Sequence, residues 1–223
     1  MRRLSLVCLL VAVVALAPAV AACADEPPEL EPLPPQLATP ADLVGPWRAT
    51  PFLVDPALWV AIEQTCRREI ELPPGSRAAI IDVRGAEVAT VRMTGQVAGS
   101  CNALQVSRTG QVAGAGGGWS GAAAEELPRL GDAQIGSIDR GSIGGGDLKV
   151  QGWSVSGRVG AAIASIVIVP PGAPSVLATL RDGWFAAWWP GPPAADDRGP
   201  PPHPPVVIQG FDAAGLLVAE LRG

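Results

Sequence analysis

Six short apolar, β-branched runs follow one another at 149–156, 163–169, 175–180, 184–189, 206–211 and 216–221. They begin about 13 residues apart on average with turn residues between most of them, a rhythm that predicts antiparallel β-strands in two packed sheets. Asp182-Gly183 is a two-residue hairpin signal between two of these runs. By contrast, 190–205 holds eight prolines in 16 residues, which predicts a long loop where a tight turn could have stood. The reading for 147–223 is an Ig-like antiparallel β-sandwich carrying this Pro-rich loop.

Upstream, Asp55-Pro56 opens the one strong helix signal, with Asp as N-cap and Pro at the first helical position. Leu58, Ile62 and Cys66 follow at steps of four and, joined by Trp59, predict one buried stripe, while Arg67 and Arg68 suit the C-terminal end. Pro73-Pro74-Gly75 ends the pattern. Three β-like runs follow at 78–83, 87–93 and 102–107, with Arg84-Gly85 and Thr109-Gly110 as turns. Region 51–112 is therefore expected to be a small α+β domain. The stretch 113–146 is rich in glycine and reads as an irregular connection, with a short helical option at 122–127. Gly 27 and Pro 24 among 223 residues favour turn-rich β structure over long helices, so the whole chain is read as mainly β.

The N-terminus reads as an export signal. Arg2 and Arg3 precede an apolar run over 4–16 and the small-residue tract Ala17-Pro18-Ala19-Val20-Ala21-Ala22, so 1–22 is expected to be a signal peptide. An uncleaved anchor competes, since 4–23 is long enough to span a membrane, but its alanine-rich end favours cleavage. Val20-Ala21-Ala22-Cys23 looks like a bacterial lipobox, which would put diacylglycerol on Cys23. A cut after Ala24, giving a secreted protein, is the alternative. On either reading Cys8 leaves with the signal, and Cys66 and Cys101 remain as an even pair in an oxidising compartment, expected as a disulfide. Segment 24–46 carries seven prolines with Asp25, Glu26, Glu29 and Glu31 at its front, so 23–50 is read as a lipidated, acidic, Pro-rich stalk.

Candidate chemistry is sparse. Gly116-Gly117-Gly118-Trp119-Ser120-Gly121 has G-x-G-x-x-G spacing, but no buried strand precedes it and no parallel α/β alternation follows, so no nucleotide partner is assigned. His203, the single histidine, lies within Pro200-Pro201-Pro202-His203-Pro204-Pro205 and is expected to be a solvated loop residue. Asp139 with Asp147, and Asp196-Asp197, lack the spacing of a calcium loop, and no metal or other cofactor is assigned. A net charge of −5 argues against nucleic acid as a partner. Strand alternation in Trp184-Phe185-Ala186-Ala187-Trp188-Trp189 places Trp184, Ala186 and Trp188 on one face and Phe185, Ala187 and Trp189 on the other. One face enters the sandwich core. The other needs cover from the N-terminal half, a partner or a stacked sugar ring, and the helix with Leu58 and Trp59 is the nearest candidate. No catalytic residues are assigned.

Pro51-Phe52, Asp55-Pro56, Cys66-Arg67, the cysteine-headed strand, Gly157-Arg158-Val159-Gly160, Asp182-Gly183-Trp184-Phe185-Ala186-Ala187-Trp188-Trp189-Pro190 and Phe211-Asp212-Ala213-Ala214-Gly215 together carry a resemblance. The chain resembles secreted proteins and lipoproteins of high-GC Gram-positive bacteria, over most of the mature sequence. The resemblance implies location and architecture and supplies no activity. The expected function is noncatalytic binding or envelope interaction, with the membrane as partner through the lipid and an envelope protein or glycan as ligand. The alternative is a cell-wall-associated hydrolase, which would need paired carboxylates in a cleft. Replacing Cys23→Ser is expected to move the protein from the membrane fraction to the medium, or to leave it as an uncut precursor. Normal processing with unchanged membrane association would refute lipidation.

Overall fold

The helix forms where its caps demand it. In the computed structural model, α1 (Pro56–Glu69) starts beneath an extended Asp55 whose Oδ1 accepts from Leu58 N at 2.8 Å, and it ends at Ile70, whose N–H donates to the Cys66 carbonyl. The structure describes residues 36–39, 46–70, 74–85, 87–94, 97–102, 104–106, 112–113, 116–119, 129–143, 152–191 and 203–223. The chain divides into Met1–Glu31 and Pro32–Gly223, and every described residue lies in the second unit.

One antiparallel sheet follows the helix: β1 (Arg77–Val83), β2 (Glu87–Thr94), β3 (Val97–Asn102), β4 (Leu104–Val106), β5 (Val112–Ala113) and β6 (Gly116–Trp119). β2 pairs with β1 along one edge and with both β3 and β4 along the other. Val91 faces Ser100 and Val88 faces Leu104, so three steps along β2 match four along its partner, which marks a bulge between β3 and β4. Across the next edge the register is unbroken, with Asn102 opposite Gly116 and Gln105 opposite Ala113. α1 buries Leu58, Ile62 and Cys66 against Ile81, Val83, Val88 and Cys101 of this sheet. Cys66 and Cys101 are joined by a disulfide with Cα atoms 6.0 Å apart, fully buried. With a sequence separation of 35, the bridge stabilises the fold by about 4 kcal/mol on the chain-entropy account. Cys101 lies near the end of β3 rather than at the head of a third run, because pairing with β2 carries the small residues Ala98-Gly99-Ser100, weak strand formers by themselves, into the sheet.

The C-terminal strands are β7 (Ile135–Ile143), β8 (Gly152–Val159), β9 (Ser165–Val169), β10 (Val176–Leu177), β11 (Thr179–Arg181), β12 (Trp184–Pro190), β13 (Val207–Phe211) and β14 (Leu217–Arg222). They form two antiparallel four-stranded sheets, ordered β11-β12-β8-β7 and β10-β9-β13-β14. Val155, Val159, Phe185, Ala187 and Trp189 from the first meet Ile166, Ile168, Val176 and Ile208 from the second in one core. The hairpin signal holds: Asp182 and Gly183 both have positive φ, at 50° and 75°, as a type I′ turn requires.

Three expectations change. The run at 175–180 is two strands in different sheets, because the chain crosses between them at Ala178. The stretch 113–146 contains β6 and β7, so the first sandwich strand lies upstream of 147; the option at 122–127 falls outside the described residues. The stalk does not run to residue 50. Leu37 bridges Leu53, Ala38 is buried, Trp47 packs on Trp188, and the backbone of 48–52 bonds to Arg84, Leu177 and Val83. Extended proline-rich chain has unpaired backbone groups, and here some of them are met by the neighbouring sheet edges.

Asp82 and Arg84 join this strap to both halves of the molecule. Arg84 Nε donates to Asp82 Oδ2 at 2.7 Å with both side chains wholly inaccessible. Arg84 Nη1 donates to the Ala49 carbonyl at 2.6 Å, Arg84 Nη2 to the Leu177 carbonyl at 2.5 Å, and Thr179 Oγ1 to Asp82 Oδ1 at 2.5 Å. Arg84→Met leaves a buried carboxylate unpaired, and urea unfolding is expected to show a loss of about 3–5 kcal/mol. The double variant Asp82→Leu with Arg84→Met should recover only part of that, since the Leu177 carbonyl loses its donor. A loss under about 1 kcal/mol in the single variant would show that the pair carries little of the stability.

Candidate functional site

The aromatic strand β12 has the alternation expected of it, and both of its faces are occupied. Phe185, Ala187 and Trp189 enter the sandwich core. On the opposite face Trp184 and Ala186 pack with Ile80 and Val91, and Trp188 packs with Ala89 and Trp47. Trp188 is 2% exposed, and its carbonyl accepts from Trp47 Nε1 at 3.1 Å, with the two indoles edge to face at 6.3 Å. The outer aromatic face is thus covered within the chain. The cover is the β1–β2 face plus Trp47, and not the helix, which lies on the other side of β1–β2 in the Ile81 and Val83 cluster. Ile80 and Ile81 point to opposite faces of β1, so one strand serves both layers. Trp59 meets the sandwich through Arg181, whose guanidinium sits 4.8 Å from the ring centre. Trp184, half-buried, carries the Arg158 guanidinium 5.6 Å from its own ring centre.

The Pro-rich loop is held at its base. His203 is half-buried rather than solvated: its ring meets Trp153 and Trp189 edge-on at 5.4 and 5.6 Å. Nε2 lies 3.1 Å from the Ser154 carbonyl and Nδ1 lies 2.9 Å from that of Pro204. Trp153 and Trp189 are cross-strand partners on β8 and β12, so the ring closes one end of the sandwich core. At the loop's other end a Cβ on Gly191 would lie 2.8 Å from Trp153 Nε1, a separation only glycine permits. Sequence reasoning missed this because proline neighbours suggest solvent, whereas the pocket is built from two tryptophans distant in the chain.

A second polar cluster lies between α1 and the first sheet. Glu63 Oε1 accepts from Ala78 N at 2.5 Å and Glu63 Oε2 from Arg92 Nη2 at 2.5 Å, with Arg67 Nε 3.8 Å from the same Oε2. Arg67 Nη2 donates to the Ser76 carbonyl at 2.5 Å. Elsewhere, the exposed Glu220 carboxyl is held below its usual range, first by the Gln209 amide and then by Arg222.

Gly116–Trp119 is a strand paired with β3 rather than a turn entering a helix. Asp139 is exposed on β7, while Asp147, Asp196, Asp197 and Cys23 lie outside the described residues. Among the described residues, no group of three or more His, Cys, Asp or Glu is placed to hold a metal ion, and no helix is long and apolar enough to cross a membrane. No known family model, curated protein or solved structure matches the chain.

Since Ile80 and Val91 cover Ala186 while Ala89 and Trp47 cover Trp188, a fragment spanning 129–223 is expected to bind ANS and aggregate, while the full chain does neither. A soluble, monomeric fragment that leaves ANS dark would show that the outer face of β12 needs no cover.

Proposed function

We propose that the protein is an exported, lipid-anchored module that works by noncatalytic binding at the outer face of the cytoplasmic membrane, held there through Cys23. The observation that carries the reading is the buried Cys66–Cys101 disulfide, since structural disulfides form and persist in oxidising compartments. The leader at 1–22 and the resemblance to secreted proteins and lipoproteins of high-GC Gram-positive bacteria point the same way. We read the C-terminal half as Ig-like. Its strand order, β7-β8-β12-β11 facing β14-β13-β9-β10, is supporting connectivity, since it follows the ABED and GFC arrangement of that fold.

The binding element in this reading is the 190–205 loop, presented from a rigid base formed by Trp153, Trp189, Gly191 and His203. Loops set on a rigid scaffold are where recognition concentrates. Its ligand is an envelope protein or glycan. Purified mature protein mixed with isolated cell envelopes is expected to sediment with them saturably, and His203→Ala is expected to weaken that retention. Protein left in the supernatant at every envelope concentration would overturn the binding reading, and steady release of soluble sugar from the envelopes would replace it with a hydrolase.

A further inference from the structure

Among the described residues, the cluster beneath α1 carries more positive charge than its own carboxylate, Glu63, balances. Arg92 on β2 is entirely buried, and only Nη2 has an acceptor, Glu63 Oε2; Nε and Nη1 are buried with no hydrogen-bond partner. Ser76 Oγ is likewise buried and unpartnered. Ser76 and Ala78 share one face of the chain entering β1, and Ala78 is the cross-strand partner of Arg92. Ala78 packs in the helix-side core, so the Ser76 hydroxyl and the Arg92 guanidinium belong to the same helix-facing layer.

Glu63 cannot supply the balance. Its Oε1 is taken by Ala78 N, and its Oε2 is shared between Arg92 and Arg67. Among the described residues, two guanidinium groups therefore face one carboxylate, and the nearest further charge on β1, Arg77, is exposed and also cationic. A buried charge is tolerated when it is both paired and hydrogen-bonded, and a donor stripped of water without an acceptor is costly. A neutral water molecule would satisfy donors but not the charge. An anion satisfies both.

We propose that Arg92 Nε and Nη1, with Ser76 Oγ, form a binding site for a small monovalent inorganic anion of chloride's size. Entry is from the Arg67 side, where that side chain is half-exposed and Glu63 is 16% exposed. An anion held here neutralises the second guanidinium and fastens α1 to β1 and β2 beside the disulfide. The site is independent of the proposed envelope binding.

The test compares the full mature chain in sodium chloride and sodium gluconate at equal ionic strength, so that screening is the same and only the small anion differs. Chloride is expected to raise the thermal midpoint saturably by a few degrees over gluconate, and the protein is expected to broaden the chloride-35 resonance. Crystals soaked in bromide should show an anomalous peak beside Arg92. Ser76→Ala, a mild change, should raise the half-saturating chloride concentration severalfold, and Arg92→Met should abolish the chloride dependence. Equal midpoints in the two salts, an unbroadened resonance, or bromide found only elsewhere would each overturn the site. The measurements on the unaltered chain decide it even if Arg92→Met does not fold.

Discussion

A carboxylate and a guanidinium with no contact with water need fixed partners for their polar atoms, and in the Asp82–Arg84 pair every side-chain nitrogen and oxygen has at least one, drawn from the strap, β10 and β11 as well as from the pair itself. Ala49 comes from the strap that precedes the helix, Leu177 from the end of β10, and Thr179 from the start of β11. The pair sits where the chain passes from one sandwich sheet to the other, at Ala178. If the crossing moved, Arg84 would lose the Leu177 carbonyl and Asp82 the Thr179 hydroxyl. The two halves are thus registered against each other by hydrogen-bond geometry, which apolar packing alone does not supply.

Apolar packing supplies the area. Sheet β11-β12-β8-β7 has the β9–β13 sheet on one side and the β1–β2 face on the other, so β12 reads as a near-continuous apolar run rather than a strict alternation. The same arrangement explains the strap. Trp188 packs with Ala89, and Trp47 lies edge-on to the Trp188 indole while its Nε1 donates to the Trp188 carbonyl. In a segment that reads as a solvated spacer because of its prolines, the described residues are held by this indole, by the pairing of Leu37 with Leu53 and by the backbone bonds of 48–52.

Much of this architecture was legible in local pattern. The Asp55-Pro56 cap, the Leu58, Ile62 and Cys66 stripe, the Asp182-Gly183 turn and the period-two alternation of 184–189 each express a rule that operates within a few residues. The cysteine pairing was legible from parity. What was not legible depends on distant partners. Ser175-Val176-Leu177-Ala178-Thr179-Leu180 carries no glycine or proline to mark the crossing, because the break is imposed by Arg84 and by the strap. β7 was hidden by its glycines and by the register shift between Gly136 and Asp139. The environment of His203 was hidden because neither tryptophan that encloses it is near it in sequence. For the same reason the cover of β12 was assigned to the helix, when Ile80 and Val91, one strand pair away, present the complementary face.

The two alanines at the centre of β12 follow from this layering. A strand buried on both faces must let two sheets approach it, and aromatic side chains at every position would hold both at a distance. Ala186 admits Ile80 and Val91 toward the strand, and Ala187 does the same toward the sandwich core, while Phe185, Trp188 and Trp189 fill the space on either side. Large beside small at adjacent positions on each face is how facing layers interdigitate without voids. A surface strand offering indoles to a ligand would have no need of those alanines. The packing of 184–189 therefore identifies the aromatic strand as the central element of three stacked sheets, its two faces closed by the sandwich core and by β1–β2 with Trp47.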